Sequence, residues 1–176
     1  MSIYLKWAAL IVPSFFMSIV GRILAPVIAL FCDEDGYLPD WLSWFATPDN
    51  SCDGDGGHRE RWPKDGFFWT YARRVAWLLR NVCYGFDMQV CGVEIDETDE
   101  ITCAGNPDIG DQSGISGTCY REAFRDGKKI AFQWYYVKHY KLFWTWNKCV
   151  RIGFGWKLWN DKPFIAQFWL YCNPVK

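Results

Sequence analysis

The chain begins with a long apolar run that is almost free of charge. Trp7–Phe31 contains one charged residue, Arg22. A helix of this length, at about 1.5 Å per residue, is about 37 Å long and exceeds a bilayer hydrocarbon core of about 30 Å. We therefore predict a hydrophobic N-terminal membrane anchor over residues 1–35. Residues 36–176 are predicted to form a single α+β domain.

Two other interpretations of the apolar run stay open. Pro13 and Pro26 disturb helical hydrogen bonding, and Gly21-Arg22 divides the run, so two short helices could instead lie in the membrane interface or against the domain. A cleaved signal peptide fits less well, because its apolar region is one continuous block of about 7–15 residues. Lys6 precedes the run and no basic residue follows it closely. This favours an amino terminus inside the cell and a domain outside.

Small residues recur along one side of this predicted helix. Their three- and four-residue spacing is typical of a face that packs closely against another helix, in a protein partner or a homo-oligomer. The stripe consists of Ser14, Ser18, Arg22 and Ala25, with Gly21 beside it.

Aromatic residues gather where the predicted anchor ends. Gly36–Phe45 is predicted to form a turn and a short helix, and aromatic side chains at this position commonly lie at the headgroup level. The residues assigned to membrane anchoring are Trp7, Arg22, Phe31, Trp41 and Trp44.

One amphipathic helix is predicted over residues 65–84. Ala72, Val75, Ala76 and Leu79 form its apolar face, and Gly85 is expected to end it. Its arginines, together with two lysines of the later strands, are candidates for binding an anion, although such residues are more often a solvated face. The candidates are Arg73, Arg74, Arg80, Lys138 and Lys141.

The C-terminal half, residues 118–172, has the pattern of an antiparallel, aromatic-rich β-meander. Thr118–Phe124 and Lys129–Tyr140 flank Asp126-Gly127, which is a strong hairpin signal. Near-alternation and aromatic or β-branched enrichment predict the remaining strands. These strands cover residues 142–146, 149–158 and 164–171, with a break at Asn160-Asp161 and Pro163. An additional strand is predicted over residues 86–95.

Composition and charge add a possible partner class. Aromatic residues make up 19% of the chain, and the net charge of −1 conceals a basic segment from Arg121 to Lys176, with eleven Lys or Arg against three acids. Such a segment can meet an anionic partner, or it can face the acidic segments 33–60 and 94–111 within one fold. Nucleic acid is a weaker possibility, because no RNP-like motif accompanies the basic strands. The eight cysteines suggest disulfides only for an extracytoplasmic domain.

The acidic loop over residues 47–60 is the segment that most strongly indicates a metal-binding or catalytic site. Oxygen-rich side chains alternate with glycines there, as a calcium site requires, although the EF-hand spacing is missing. The candidate ligands are Asp49, Asn50, Asp53 and Asp55. A turn held by Asx side chains explains the same residues. The third alternative is a metal-dependent hydrolase that uses the Asp53–Glu60 segment, including His58.

Several blocks resemble a family of small, membrane-associated proteins from tailed phages and prophages. The blocks are Leu38-Pro39-x-Trp41-Leu42-x-Trp44-Phe45-x-Thr47-Pro48-Asp49-Asn50-Ser51-x-Asp53-Gly54-Asp55, the Arg73–Phe86 segment, Gly153–Lys157 and Leu24-Ala25-Pro26. The resemblance implies a phage origin, a bacterial host membrane and an accessory role without a catalytic residue. Cys52 and Cys83 stand where the family has aliphatic or small residues, which argues against a disulfide role for them.

The combined expectation is a phage-encoded, membrane-anchored accessory protein that binds a protein or anionic partner. Two other classes are kept: the metal-dependent hydrolase and a structural component of the virion. Calcium is the one cofactor that the pattern suggests.

Overall fold

The computed structural model describes residues 2–143, 146–158 and 164–176. Contacts within the chain group into two compact units, residues 1–8 with 92–176 and residues 9–91. The fold class is α+β, as the sequence predicts. The predicted boundary between residues 35 and 36 separates a membrane anchor from a domain, whereas the two units are defined by contacts within the chain. The anchor boundary stays a prediction.

The first element is one continuous helix, α1 (Ile3–Ile28), followed by a 3₁₀ turn at Ala29–Phe31. Pro13 and Pro26 both lie inside α1. The alternative of two short helices divided at Gly21-Arg22 is therefore wrong.

The unit of residues 9–91 is helical. After α1 it contains a 3₁₀ helix at Asp40–Phe45, then α2 (Gly56–Arg61), α3 (Phe67–Arg80) and α4 (Tyr84–Gln89). Its core is a buried cluster to which α1, the 3₁₀ helix and α3 all contribute. The cluster consists of Ala25, Ile28, Ala29, Leu42, Cys52, Trp77 and Leu78.

The predicted amphipathic helix is confirmed as α3, but its buried residues are Arg74, Trp77 and Leu78 rather than the predicted apolar face, and Leu79 is exposed. The region after it also differs from prediction. Cys83 adopts a left-handed conformation, with φ of 50°, and separates α3 from α4. A strand over 86–95 is therefore wrong up to Gln89, and only Val93–Ile95 is extended. Gly85 lies inside α4, where its missing side chain lets the backbone approach the Ser43 carbonyl.

The unit that includes residues 92–176 contains a five-stranded antiparallel sheet in the order β2-β3-β4-β5-β7, which confirms the meander. A separate pair joins β1 and β6. The strands are β1 (Val93–Ile95), β2 (Glu100–Gly105), β3 (Gly117–Arg125), β4 (Lys128–Leu142), β5 (Trp146–Trp156), β6 (Phe164–Ala166) and β7 (Phe168–Asn173).

The turns of the meander follow the sequence signals closely. Asp126 and Gly127, with φ of 50° and 71°, form the hairpin turn between β3 and β4. The predicted strand over 142–146 is instead the end of one hairpin arm and the start of the next, since Leu142 pairs with Trp146. The predicted break at Asn160-Asp161 and Pro163 lies outside the described residues.

Candidate functional site

The most extensive unusual surface is one side of α1, where apolar side chains are exposed. Ile23 is 70% exposed and Phe16 is 62% exposed, and their apolar neighbours along the helix are exposed as well. Among the described residues, Ile3–Phe31 is the one segment whose helix has the length and composition to cross a membrane. The exposed apolar residues are Val12, Phe15, Phe16, Ile19, Val20, Ile23, Leu24, Val27, Leu30 and Phe31.

The opposite side of α1 is buried by the same chain. Ser14, Gly21, Ala25 and Ile28 are its buried residues. A β-carbon on Gly21 would lie 2.5 Å from Cys83 Sγ, so the absence of a side chain permits this contact. The small residues thus pack closely, as their spacing predicts, but against residues 82 and 83 of their own chain.

Of the three polar members of the predicted stripe, Ser14 is buried, whereas Ser18 and Arg22 are not. Arg22 is exposed, and its Nη1 donates a hydrogen bond to the Ser18 carbonyl at 3.1 Å. An arginine that folds back onto its own helix satisfies a donor without another chain. The buried part of the stripe packs against the same chain, and the homo-oligomer stays a prediction.

The residues assigned to anchoring divide into two groups. Trp7 packs in the unit of residues 92–176, with its ring 5.7 Å from that of Phe154. By contrast, Phe31 and Trp41 are both exposed and their rings contact each other at 5.3 Å. Trp44 is 45% exposed. The exposed aromatic residues lie at the carboxyl end of α1, whereas Trp7 belongs to a protein core.

Arginine side chains hold the acidic loop in place. The loop does not wrap its glycines around an open space. Asp53 is buried, and its Oδ1 and Oδ2 accept hydrogen bonds from Arg74 at 3.2 and 3.0 Å. Arg73 donates two further bonds to Oδ1, at 3.2 and 3.0 Å. Arg74 also donates to the carbonyls of Asp33 and Glu34. Two anion-binding candidates therefore use their guanidinium groups inside the protein.

The charge state of Asp53 follows from these partners. Burial raises its pKa, but the hydrogen bonds and positive charges of Arg74 and Arg73 outweigh burial and hold the pKa below its ordinary value. The carboxyl group is therefore ionised at neutral pH. A cation placed beside it would meet two guanidinium groups, which repel it.

The other loop residues also have local structural roles. Asp55 caps α2, accepting a bond from the His58 backbone N–H at 2.7 Å, and lies 3.6 Å from Arg80. The His58 ring is buried and its Nε2 lies 3.0 Å from the Arg73 carbonyl; burial lowers the pKa of His58. Asn50 pairs with Thr47 in an isolated bridge. These contacts match the Asx-turn interpretation of the loop.

No metal-binding group emerges from the loop. Within residues 2–143, 146–158 and 164–176, no three His, Cys, Asp or Glu side chains come together as metal ligands. Asp49 is exposed and Asp53 is already bound by arginines. The calcium hypothesis and the hydrolase hypothesis consequently lack a ligand set in this part of the chain.

A basic cleft near the turn end of the β4–β5 hairpin was not predicted as a unit. The cavity has a volume of about 570 Å³. Lys141 and Lys148 line it, and neither has an ion-pair partner among the described residues. The cleft is defined by Asp111, Gln112, Gly114, His139, Tyr140, Lys141, Asn147, Lys148, Cys149 and Lys176.

The sheet register brings the cleft residues together. β4 and β5 pair His139 with Cys149 and Lys141 with Asn147. His139 Nε2 lies 2.9 Å from the Gly110 carbonyl, which ties the 106–116 loop to this end of the sheet. Lys138, the other predicted lysine, is exposed but does not line the cavity. The hairpin register brings together the β4 and β5 residues of the cleft, whereas its loop residues and Lys176 join through long-range contacts.

A family comparison covers the whole chain. The model of a family of unknown function, DUF7338, matches residues 1–176. The chain belongs to this family. Comparison with curated proteins and with solved structures gave no significant match. Membership in DUF7338 assigns no activity, so function must be argued from the surfaces described above.

The cysteines contribute no disulfide to these surfaces. All eight lie in the described part of the chain and each is a thiol there. Cys103 and Cys119 of neighbouring strands have their sulfur atoms 3.6 Å apart, and the Cys32 and Cys52 side chains are hydrogen-bonded to each other. Burial raises the pKa of Cys83 to about 11, so this thiol stays protonated beside α1 and donates to the Met17 carbonyl.

Proposed function

We propose that this DUF7338 member is a phage-encoded accessory protein that is anchored at the inner membrane of a bacterial host. It acts by binding a protein or anionic partner rather than by catalysis. The observation that carries the membrane part is the exposed apolar side of α1, from Val12 to Phe31. Removing one such side chain from water is favourable by about 1.5–3 kcal/mol, and ten of them are exposed together.

The proposed phage origin draws on a different feature. Leu38–Asp55 carries the densest part of the resemblance to tailed-phage proteins, and it forms the 3₁₀ helix and the Asp53 network in the structure. The same resemblance supports an accessory role and a host membrane.

The basic cleft supports the anionic partner. A concave site of about 570 Å³ falls in the size range of small-ligand pockets, which is roughly 300–1,000 Å³. Lys141 and Lys148 have no carboxylate partner among the described residues, whereas Lys176 lies 3.5 Å from Asp111. Lys141 and Lys148 both line the concavity, where their positive charge favours a bound anion such as a phosphate group.

Membrane attachment is tested by substitution rather than by deletion. Deleting α1 would expose the buried cluster that contains Ala25 and Ile28. Replacing Ile23 and Phe16 with Glu changes exposed positions only. We expect the wild-type chain to sediment with membranes and to need detergent for release, and the double variant to move into the soluble fraction.

Leu170→Glu is the matched control, since Leu170 is 56% exposed but lies on β7. It should leave sedimentation unchanged. A wild-type chain that is soluble without detergent would refute the proposal. Mass spectrometry of purified virions tests the accessory role, because a stoichiometric virion component would replace it.

A further inference from the structure

We infer that α1 lies along the membrane surface, with its exposed apolar side in the lipid, rather than crossing the bilayer. This inference rests on the proposed membrane attachment. It assigns the protein an interaction surface for one lipid leaflet and places both ends of α1 on the same side of the membrane.

The first argument is the length of the buried side. Its residues run from Ser14 to Ile28, which at 1.5 Å per residue spans about 21 Å of the helix. Along this length α1 contacts its own unit at several levels. Cys83 Sγ donates to the Met17 carbonyl at 3.0 Å, and the Tyr71 hydroxyl donates to the Pro26 carbonyl at 3.0 Å. A spanning α1 would carry these neighbours into the hydrocarbon core.

The neighbours of α1 are poorly suited to hydrocarbon. The α3 helix that holds Tyr71 also carries Arg80, whose side chain is 42% exposed, and Arg80 lies near Asp55, whose side chain is 44% exposed. A charged residue at the centre of a bilayer costs roughly 2.5–3.5 kcal/mol on insertion scales. An in-plane α1 leaves these groups in water while its apolar side remains in lipid.

The second argument is the path of the chain. Trp7 packs against Phe132, Phe154 and Phe168, so the start of α1 belongs to the same compact unit as residues 92–176. If α1 crossed the bilayer, the chain after Phe31 would emerge on the opposite side and would have to return before Gly92. Among the described residues, no second helix has the length and composition for that return.

The third argument is a second group of exposed aromatic residues beside the end of α1. Phe67 is 87% exposed and Phe68 is 67% exposed. They precede Tyr71 on α3 by four and three residues, so they share its side of the helix, and Tyr71 bonds to Pro26. Phe31 and Trp41 are exposed aromatic residues of the same unit, and exposed aromatic side chains are typical of the headgroup level.

The test uses the full chain with one epitope tag at the amino terminus and one inserted after Lys64, an exposed position in the turn between α2 and α3, expressed in bacteria. Protease is added to intact spheroplasts and to inverted inner-membrane vesicles. We expect both tags to be digested in one preparation and both to be protected in the other. Detergent lysis, which should make both tags accessible, is the control for intrinsic resistance.

Two results overturn the inference in distinguishable ways. Digestion of the two tags in opposite preparations means that α1 crosses the bilayer, and the proposed membrane function then stands without the in-plane arrangement. Recovery of the chain in the soluble fraction overturns both the in-plane arrangement and the proposed function.

Discussion

The acidic loop of residues 47–60 and the basic cleft at the end of β4 and β5 both concentrate charge, but they use it differently. In the loop, Asp53 is bound by two guanidinium groups and is buried with them. In the cleft, Lys141 and Lys148 have no ion-pair partner among the described residues. The comparison shows that a conspicuous charged motif can be part of the fold, while a less conspicuous one is free to bind a ligand.

The same contrast separates the five anion-binding candidates. Arg73 and Arg74 are committed to Asp53, and Arg80 lies 3.6 Å from Asp55. Lys138 and Lys141 are exposed, and of these two only Lys141 lines the cleft. Sequence alone treats all five as equivalent cations, whereas their partners determine which of them remain available.

The largest expected effect comes from breaking the loop network. Arg74→Met removes the bidentate partner of Asp53 and leaves the Asp33 and Glu34 carbonyls without this donor. Removing one partner of a buried pair costs about 3–5 kcal/mol, because the remaining charge is uncompensated. We expect a loss of about 3 kcal/mol, since Arg73 stays bound. Urea unfolding in mild detergent, followed by tryptophan fluorescence, measures it.

Arg80→Met is the matched control on the same helix. Its ion pair with Asp55 is largely exposed, and such pairs contribute about 0–1 kcal/mol. Equal losses in the free energy of unfolding for the two variants would mean that the buried Asp53 network stabilises the fold no more than an exposed ion pair does. The acidic loop would then not be a structural use of charge.

The next effect is a pH dependence of stability. The pKa of Asp53 is held below its ordinary value, so the folded state binds fewer protons there than the unfolded chain. This contribution is fully present above the unfolded pKa of about 3.9 and is lost as the pH falls through the folded value. We expect wild-type stability to fall more steeply below about pH 4 than that of Asp53→Asn, which cannot ionise at this position. Parallel pH profiles for the two proteins would contradict this role for Asp53.

Much of the fold was predictable because its signals are local. Alternating aromatic positions and the Asp126-Gly127 turn specify the β3–β4 hairpin. The existence of α3 is also evident from periodicity, but the predicted apolar face is wrong, because Arg74, Trp77 and Leu78 are its buried residues and Leu79 is 44% exposed. These features depend on neighbours within a few residues, which a single sequence displays directly.

The errors arise where distant residues decide the outcome. Residues 86–89 look extended, but Gly85 fits against the Ser43 carbonyl and this part of the chain forms α4. Asp53 looks like a cation ligand because the sequence does not reveal that Arg73 and Arg74 lie beside it. The cleft was missed because it requires the register of β4 against β5 and the 106–116 loop. Long-range contacts of this kind leave no periodic signal.

A smaller effect is expected at the basic cleft. The change is Lys141→Gln together with Lys148→Gln, both at the cleft surface, and the ligand used is inorganic pyrophosphate. If the cleft binds phosphate groups, removing both ammonium groups should weaken binding about tenfold, which corresponds to about 1.4 kcal/mol. The affinity should also decrease with added salt, because charge attraction is screened. Isothermal titration of the detergent-solubilised full chain measures both.

Lys138→Gln is the control for the cleft, since it removes a similar exposed charge outside the cavity. It should change the affinity by less than twofold. Equal weakening by Lys138→Gln would indicate attraction by the overall charge of the sheet rather than by a site. No binding of pyrophosphate to the wild type would remove the small-anion partner from the proposal.

The smallest expected effect is the response to calcium. A ligand that binds only the folded state raises its stability, by about 2.7 kcal/mol at a hundredfold excess over the dissociation constant. Since Asp53 already holds two arginines and no set of three metal-ligating side chains is formed in the described residues, we expect no change in melting temperature with calcium, magnesium or chelator. Asp53→Asn should melt lower than the wild type in all three conditions, because it loses charge-assisted bonds rather than a metal ligand. A melting temperature that rises with calcium in the wild type but not in Asp53→Asn would restore the loop as a cation site. It would also reverse the contrast between the acidic loop and the basic cleft, because the loop would then be the region that binds a ligand.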